Sequence, residues 1–356
     1  LGDILDYISW RGDLSWARSP FCPVDALALS ALAYIHFEGV VPEGLDSPVP
    51  LRQAAERYLA LPPGRRGRFR CGRDLALLRA LGEAPRFAGA ELCCRAGRFA
   101  PEEETQFAAL AVLLGDGSAY LAFRGTDATL VGWKEDFNMS FMDLVPAQIL
   151  AAEYAGGFAG GFPGPLRLGG HSKGGNLAVV GAALCPVKVR DRVEVVYSFD
   201  GPGFNPYLLA RPGYQELRTR IRSFVPRSSV VGLLLTHEEP HTVVQSSQQG
   251  LFQHDLYSWQ ILGPDFLRLE EVDAGSRLID RALKDWLAGL TRQERETVVD
   301  TLYGLLSCQD AKMIREALEP ANLASALRAV READPKDLLT VASSLARLAR
   351  AALRAL

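Results

Sequence analysis

The sequence predicts an α/β fold: a mostly parallel β-sheet with helices on both faces, preceded by N-terminal helices and followed by a helical appendage. Three observations carry that prediction. Short apolar runs of strand length alternate with helical patterns between residues 107 and 246, as strands and crossover helices do in a parallel sheet. A glycine-rich turn, Gly170-His171-Ser172-Lys173-Gly174, joins one of those runs directly to a helical segment. After about Gly263 the strand-length runs stop and only helical spacing continues.

From residue 1 to about 92 the pattern is helical, with apolar residues at Leu27, Ala31 and Tyr34 and again at Leu75, Leu78 and Leu81. Pro62, Pro63 and Gly64 interrupt it as a loop. Residues 107–114 and 119–123 read as strands joined by a hairpin turn at Asp116-Gly117. Three buried-looking strands follow at 165–168, 193–199 and 221–225, and a last one at 242–246. In the tail, Ile279, Leu283, Trp286 and Leu290 recur at helical spacing, Thr291 and Glu294 form a capping box, and Val341, Leu345 and Leu348 mark a final helix. Two domains are expected: 1–262, which carries the sheet and the N-terminal helices, and 263–356, a helical extension.

With 356 residues, 48% of them hydrophobic and 23% charged, the chain has ample material for a large core. Lysine and arginine total 39 against 42 acidic residues, and the net charge of -3 argues against nucleic acid or an anionic membrane as partner. The six cysteines, Cys22, Cys71, Cys93, Cys94, Cys185 and Cys308, form no C-x-x-C pair and read as reduced thiols. No stretch approaches the ~18 uncharged apolar residues of a membrane span, and the N-terminal residues lack a basic-then-apolar signal pattern, so a cytoplasmic location is expected. The chain begins at Leu1 rather than Met, which leaves a preceding segment open.

The pentapeptide at 170–174 matches G-x-S-x-G, and its context matters more than the match: a strand runs in and a helix runs out. A serine in so sharp a turn needs glycine two residues to either side, because a side chain there collides with strand or helix. Gly174, Ala178, Gly181, Ala182 and Cys185 give the following helix a small face that can approach the sheet and aim its positive end at the serine. The run lacks G-x-G-x-x-G and the G-K-[ST] ending, so no nucleotide cofactor, and no cofactor of any other kind, is expected. Ser172 is the expected nucleophile of an α/β-hydrolase.

A serine nucleophile needs a base, and imidazole suits neutral pH. Chain order in this fold runs nucleophile, acid, histidine, which removes His36; His171 belongs to the elbow and is expected to point elsewhere. Of His237, His241 and His254, the last lies on a loop beyond the last strand and is the expected base. The strand at 193–199 ends in Asp200-Gly201-Pro202-Gly203, whereas the strand at 221–225 ends in Pro226-Arg227-Ser228-Ser229 and offers no carboxylate. Asp200 is therefore the expected orienting acid, with Asp255 as its rival and turn stabilisation as the plainer role.

Acyl transfer also needs backbone N–H donors at the developing oxyanion; Lys173, after the nucleophile, is expected to supply one. The other should come from the loop Arg124-Gly125-Thr126-Asp127, after the strand at 119–123. Phe-Arg-Gly-Thr after a strand, followed by Gly-His-Ser-x-Gly, resembles the class 3 (triacylglycerol) lipases. That resemblance implies Thr126 as the second donor. The chain is still more similar to a bacterial family of α/β-hydrolases, the Mbeg-like proteins, through Ile4-Leu5-Asp6-Tyr7-Ile8, Arg124-Gly125-Thr126-Asp127, Trp133-Lys134-Glu135-Asp136, the Ser172 elbow and Gln253-His254-Asp255. The likeness spans roughly residues 1–262 and departs from class 3 lipases at Ser228 and Ser229, where those enzymes place their acid.

The expected function is hydrolysis of carboxylic esters, with lipid or lysophospholipid esters favoured by the resemblance; thioester or amide hydrolysis uses the same parts. The expected partner is thus a small acyl ester or lipid. Trp133, Phe137, Met139, Phe141, Met142 and Val145 form an apolar segment open to two readings, a lid or ordinary core. The side chain of Lys173 is expected to point to solvent. A competing reading is metal: His237-Glu238-Glu239-Pro240-His241 matches H-E-x-x-H, but the motif works only on a helix and Pro240 opposes one. Another is a non-catalytic scaffold or oligomer that binds through the helical tail, whose Arg347, Arg350 and Arg354 read first as a solvated face.

Overall fold

In the computed structural model, residues 2–67, 70–127, 129–307, 329–331 and 333–355 are described, with backbone alone at 353–355. The strands are β1 (Val49–Pro50), β2 (Glu91–Ala100), β3 (Thr105–Leu113), β4 (Ala119–Phe123), β5 (Leu166–His171), β6 (Val193–Phe199), β7 (Ile221–Pro226), β8 (His241–Val244), β9 (Ile261–Leu262), β10 (Asp265–Phe266) and β11 (Arg268–Leu269). The main sheet has the order β1-β2-β3-β4-β5-β6-β7-β8-β11, while β9 and β10 pair with each other. Strands β4 to β8 run parallel, and β3 joins β4 antiparallel. With helices between the parallel strands, this is the α/β-hydrolase fold the sequence predicts.

The hairpin turn forms as read: Gly117 is left-handed at φ 82°, and the Asp116 carboxylate accepts from Ser118 N at 3.0 Å. One strand has no counterpart in the sequence pattern, and one expectation about strands fails. Residues 91–100 form β2 although Arg95, Gly97 and Arg98 break any two-residue alternation. Strands also continue past Gly263, because the two-residue β11 pairs antiparallel with β8 through Arg268–Val244 and Leu269–Val243. A strand that short has no periodicity to read; pairing creates it.

The described residues form two compact units. The first comprises Leu1–Arg98, Phe107–Gly125 and Ala147–Val272 and holds the sheet. Its helix Pro23–Leu32, apolar except for Asp25 and Ser30, is buried from Val24 to Leu32 and packs on β4 and β5. Beside it Arg86 donates to Asp25 at 2.6 and 2.8 Å, and Tyr7 donates to the same carboxylate at 2.8 Å. The buried charges are thus paired and hydrogen-bonded, the condition under which such ions are tolerated.

The second unit comprises Phe99–Gln106, Thr126–Pro146 and Asp273–Leu356. Within it, helix Arg292–Leu306 has the expected capping box, Thr291 with Glu294. Its Tyr303 and Leu306 pack on Leu130 of helix Leu130–Asn138. Asp300 binds Lys134 at 3.0 Å, and Arg295 donates to Ser140 O at 2.6 Å. The apolar segment at 133–145 is therefore tied to the tail helices; within it Trp133 and Phe137 meet at 4.6 Å while Met139 and Val145 are buried. Among the described residues no helix is long and apolar enough to cross a membrane. Cys308 and the side chain of Arg354 lie outside the described residues.

Candidate active site

Strand β5 ends at His171, and helix Lys173–Leu184 begins at Lys173, so Ser172 alone makes the turn. Its backbone lies at φ 59° and ψ -133°, a region a side chain adopts at a cost of order 1–3 kcal/mol and that concentrates at functional sites. The surrounding contacts hold it there: Ser172 N donates to Phe199 O, and Gly175 N donates to Ser172 O, each at 2.9 Å. Gly170 and Gly174 are required by close approach, since a Cβ on either would strike the carbonyl of Phe123, and at Gly170 also the Gly174 backbone. Gly125 lies against the elbow as well; a Cβ there would meet Ser172 Cβ at 3.1 Å.

The acid stands at the end of the next strand. Asp200 follows β6, is only 1% exposed on its side chain and is left-handed at φ 50°. Its Oδ1 accepts from Ser229 Oγ at 2.5 Å and from Gly232 N at 3.1 Å, while Oδ2 lies 2.6 Å from His254 Nδ1. Each carboxylate oxygen thus has a donor, which fixes the carboxylate and sets the Nδ1 edge of the His254 ring toward it. His254 closes the 3-10 turn Gly250–His254, and its side chain is 30% exposed.

His254 is also beside the elbow. Its carbonyl oxygen lies 2.7 Å from His171 Nε2, and the two imidazole rings meet at 4.5 Å. His171, expected to point elsewhere, touches the expected base. The structure therefore brings Asp200 and His254 together, and sets His254 against the residue preceding Ser172.

The Mbeg1-like family matches residues 81–304, more than half of the chain. The chain belongs to the Mbeg1-like family. Among curated proteins no match is found. Solved structures similar to this Mbeg1-like protein include MDLA from Penicillium cyclopium (14% identity, 70% of this chain and 87% of that one, TM-score 0.39) and M37 lipase (14%, 85% and 98%, TM-score 0.38). Lipase II from Rhizopus niveus is also similar (15%, TM-score 0.30); the match takes in 40% of this chain and spans about 62% of the lipase's length.

Other expected residues of this Mbeg1-like protein fall as follows. Lys173 is buried, at 1% exposure, contrary to the solvent-pointing side chain expected of it; the residue opens a helix packed on three strands. Thr126 is in the second unit, where its hydroxyl donates to Asp136 at 2.5 Å. Asp255 faces away from His254: its carboxylate takes Arg70 and the N–H of Tyr257, each at 3.3 Å. Residues 237–240 form no helix, and His241 opens β8. His237 Nδ1 instead pairs with Glu239 Oε1 at 2.7 Å, and Tyr214 donates to Glu239 Oε2 at 2.7 Å. Among the described residues no group of three or more His, Cys, Asp or Glu is arranged to hold a metal ion.

Sequence reasoning missed Ser229, which it read only as the absence of a carboxylate after β7. It also missed Tyr34 and Arg70, which meet the His171 and His254 region from the N-terminal helical segment. No local pattern marks them, because their role exists only where distant segments converge.

Proposed function

We propose that this chain is a serine hydrolase of carboxylic esters. The observation that carries the reading is the 2.6 Å contact of His254 with a buried Asp200, on an imidazole whose ring meets that of His171, the residue before the left-handed Ser172. In this reading Ser172 Oγ bonds to the acyl carbon as its proton passes to His254, and Asp200 stabilises the resulting imidazolium. His254 then protonates the leaving alkoxide as the ester C–O bond breaks. Water reverses the sequence and frees the acid.

The N–H of Lys173 is the first oxyanion donor in this scheme. The N–H of Thr126, the residue after Gly125, is the second. An acyl lipid or lysophospholipid is the substrate class we favour, on the likeness of the Arg-Gly-Thr and elbow segments to class 3 lipases. A thioester or amide would use the same groups.

A fluorophosphonate probe and a series of p-nitrophenyl esters of increasing acyl length test this. Labelling and turnover are expected in the wild type and absent from Ser172→Ala. A folded wild-type protein that neither labels nor turns over any ester would favour the alternative, a binding scaffold on the same fold.

A further inference from the structure

The loop bearing His254 starts at Gly250 in left-handed backbone (φ 54°) and exposes Leu251 and Phe252, so packing of its own apolar side chains does not hold it. Polar contacts do. Gln253 exchanges hydrogen bonds with Ser228 at 2.8 and 3.0 Å, and Trp259 Nε1 donates to Gln253 O at 2.9 Å. His254 itself is gripped by His171, the immediate neighbour of the expected nucleophile.

The chemistry of that grip follows from its partners. A carbonyl oxygen only accepts, so His171 Nε2 carries the proton and donates to His254 O. Nδ1 is then the acceptor for the Tyr34 hydroxyl at 3.0 Å. Burial, with the charges of His254 and Arg70 as lesser causes, holds the His171 pKa well below the ordinary imidazole value. The ring therefore stays neutral, and the hydrogen-bond direction is fixed. Arg70 lies over the Tyr34 ring at 4.9 Å while reaching Asp255 at 3.3 Å, so the residue after His254 is tied to the same cluster.

We propose that His171, oriented by Tyr34, is a positioning residue for His254: it holds the main chain of the base in place while Asp200 holds the ring. This rests on the catalytic reading of His254. The bond to Nδ1 orients the ring without fixing the His254 main chain, and the contacts of Gln253 hold the residue before it. Misplacement of a reacting group by about 1 Å can cost on the order of 10²-fold in rate.

The test compares wild type, His171→Leu, His171→Gln and Tyr34→Phe by fluorophosphonate labelling, with the maximal labelling rate separated from apparent affinity. His171→Leu removes the donor and is expected to lower the maximal rate by roughly 10- to 100-fold with affinity unchanged. His171→Gln restores an N–H at similar reach and is expected to recover most of the loss. Tyr34→Phe keeps the ring and removes the orienting hydroxyl, so a smaller loss is expected; it serves the same purpose if His171→Leu does not fold.

A second readout does not depend on turnover. The low-field proton resonance of His254 Nδ1 in its bond to Asp200 should be present in the wild type, absent from Asp200→Asn, and broadened or shifted in His171→Leu or Tyr34→Phe. Folded variants that label within twofold of wild type and leave that resonance unmoved would overturn the positioning role, as would a His171→Gln no better than His171→Leu. Loss of labelling in the wild type itself, with the resonance behaving as expected, would instead count against the hydrolase reading.

Discussion

Among the described residues of the first unit, two imidazoles meet a buried carboxylate, and the two pairs are nearly the same object. His254 meets Asp200 at 2.6 Å and His237 meets Glu239 at 2.7 Å, and in each pair the acid is 1% exposed. What differs is the other side of the ring. The His254 side chain is 30% exposed and lies beside the elbow, whereas that of His237 is 10% exposed and its Nε2 is buried without a hydrogen-bond partner among the described residues. A buried carboxylate on an imidazole is therefore not a signature of catalysis. The pair acquires a role only from what its free nitrogen can reach, and Glu239, held also by Tyr214, reads as an anchor for the segment before β8.

That contrast breaks most sharply in activity. Ser172→Ala should remove fluorophosphonate labelling altogether and lower ester turnover by about 10⁴-fold or more. His254→Ala and Asp200→Asn should each lower kcat by roughly 10³- to 10⁴-fold, while His237→Ala should leave kcat within about twofold, the spread expected for a residue outside the chemistry. A large loss in His237→Ala, measured on folded protein, would erase the distinction between the two pairs.

Smaller effects sharpen it. Ser229→Ala takes one donor from Asp200 and should reduce kcat by about 3- to 10-fold, in line with the ~1 kcal/mol of an ordinary hydrogen bond. Glu239→Gln should act on stability instead, with thermal unfolding reporting a loss of about 1–3 kcal/mol.

The pH dependence of that loss has a definite sign. Burial by itself raises the Glu239 pKa, but the hydrogen bonds from His237 and Tyr214 outweigh it and hold the carboxyl below its ordinary value. A carboxyl lowered on folding contributes stability that is present above its unfolded pKa of about 4.3 and is lost as pH falls through the lower folded value. The gap in Tm between wild type and Glu239→Gln should therefore narrow below about pH 4; a gap that widened with acid would show the pair to be unstable when charged.

Much of this was legible in the sequence because the signals are local. Glycines at 170 and 174 mark a turn that no other residue tolerates, so the elbow and its serine are readable from one pentapeptide in its strand-to-helix setting. Apolar runs at 193–199 and 221–225 mark the parallel strands, and Asp200 follows directly at a strand end. Residues 91–100 were not legible, since a strand interrupted by Arg95, Gly97 and Arg98 is made by its neighbours rather than by its own pattern.

Local chemistry, then, determined the class of fold, the position of the sharp turn and the residue types available to it. Tertiary structure decided the rest: that Asp200 rather than Asp255 meets His254, that Ser229 supports the acid from another strand end, that Lys173 is buried, and that His171 and Tyr34 grip the base loop. The physical reason is range. Backbone conformation is set by sterics within a few residues, whereas a hydrogen bond between residues 54 or 83 positions apart exists only after the sheet has brought strand ends together.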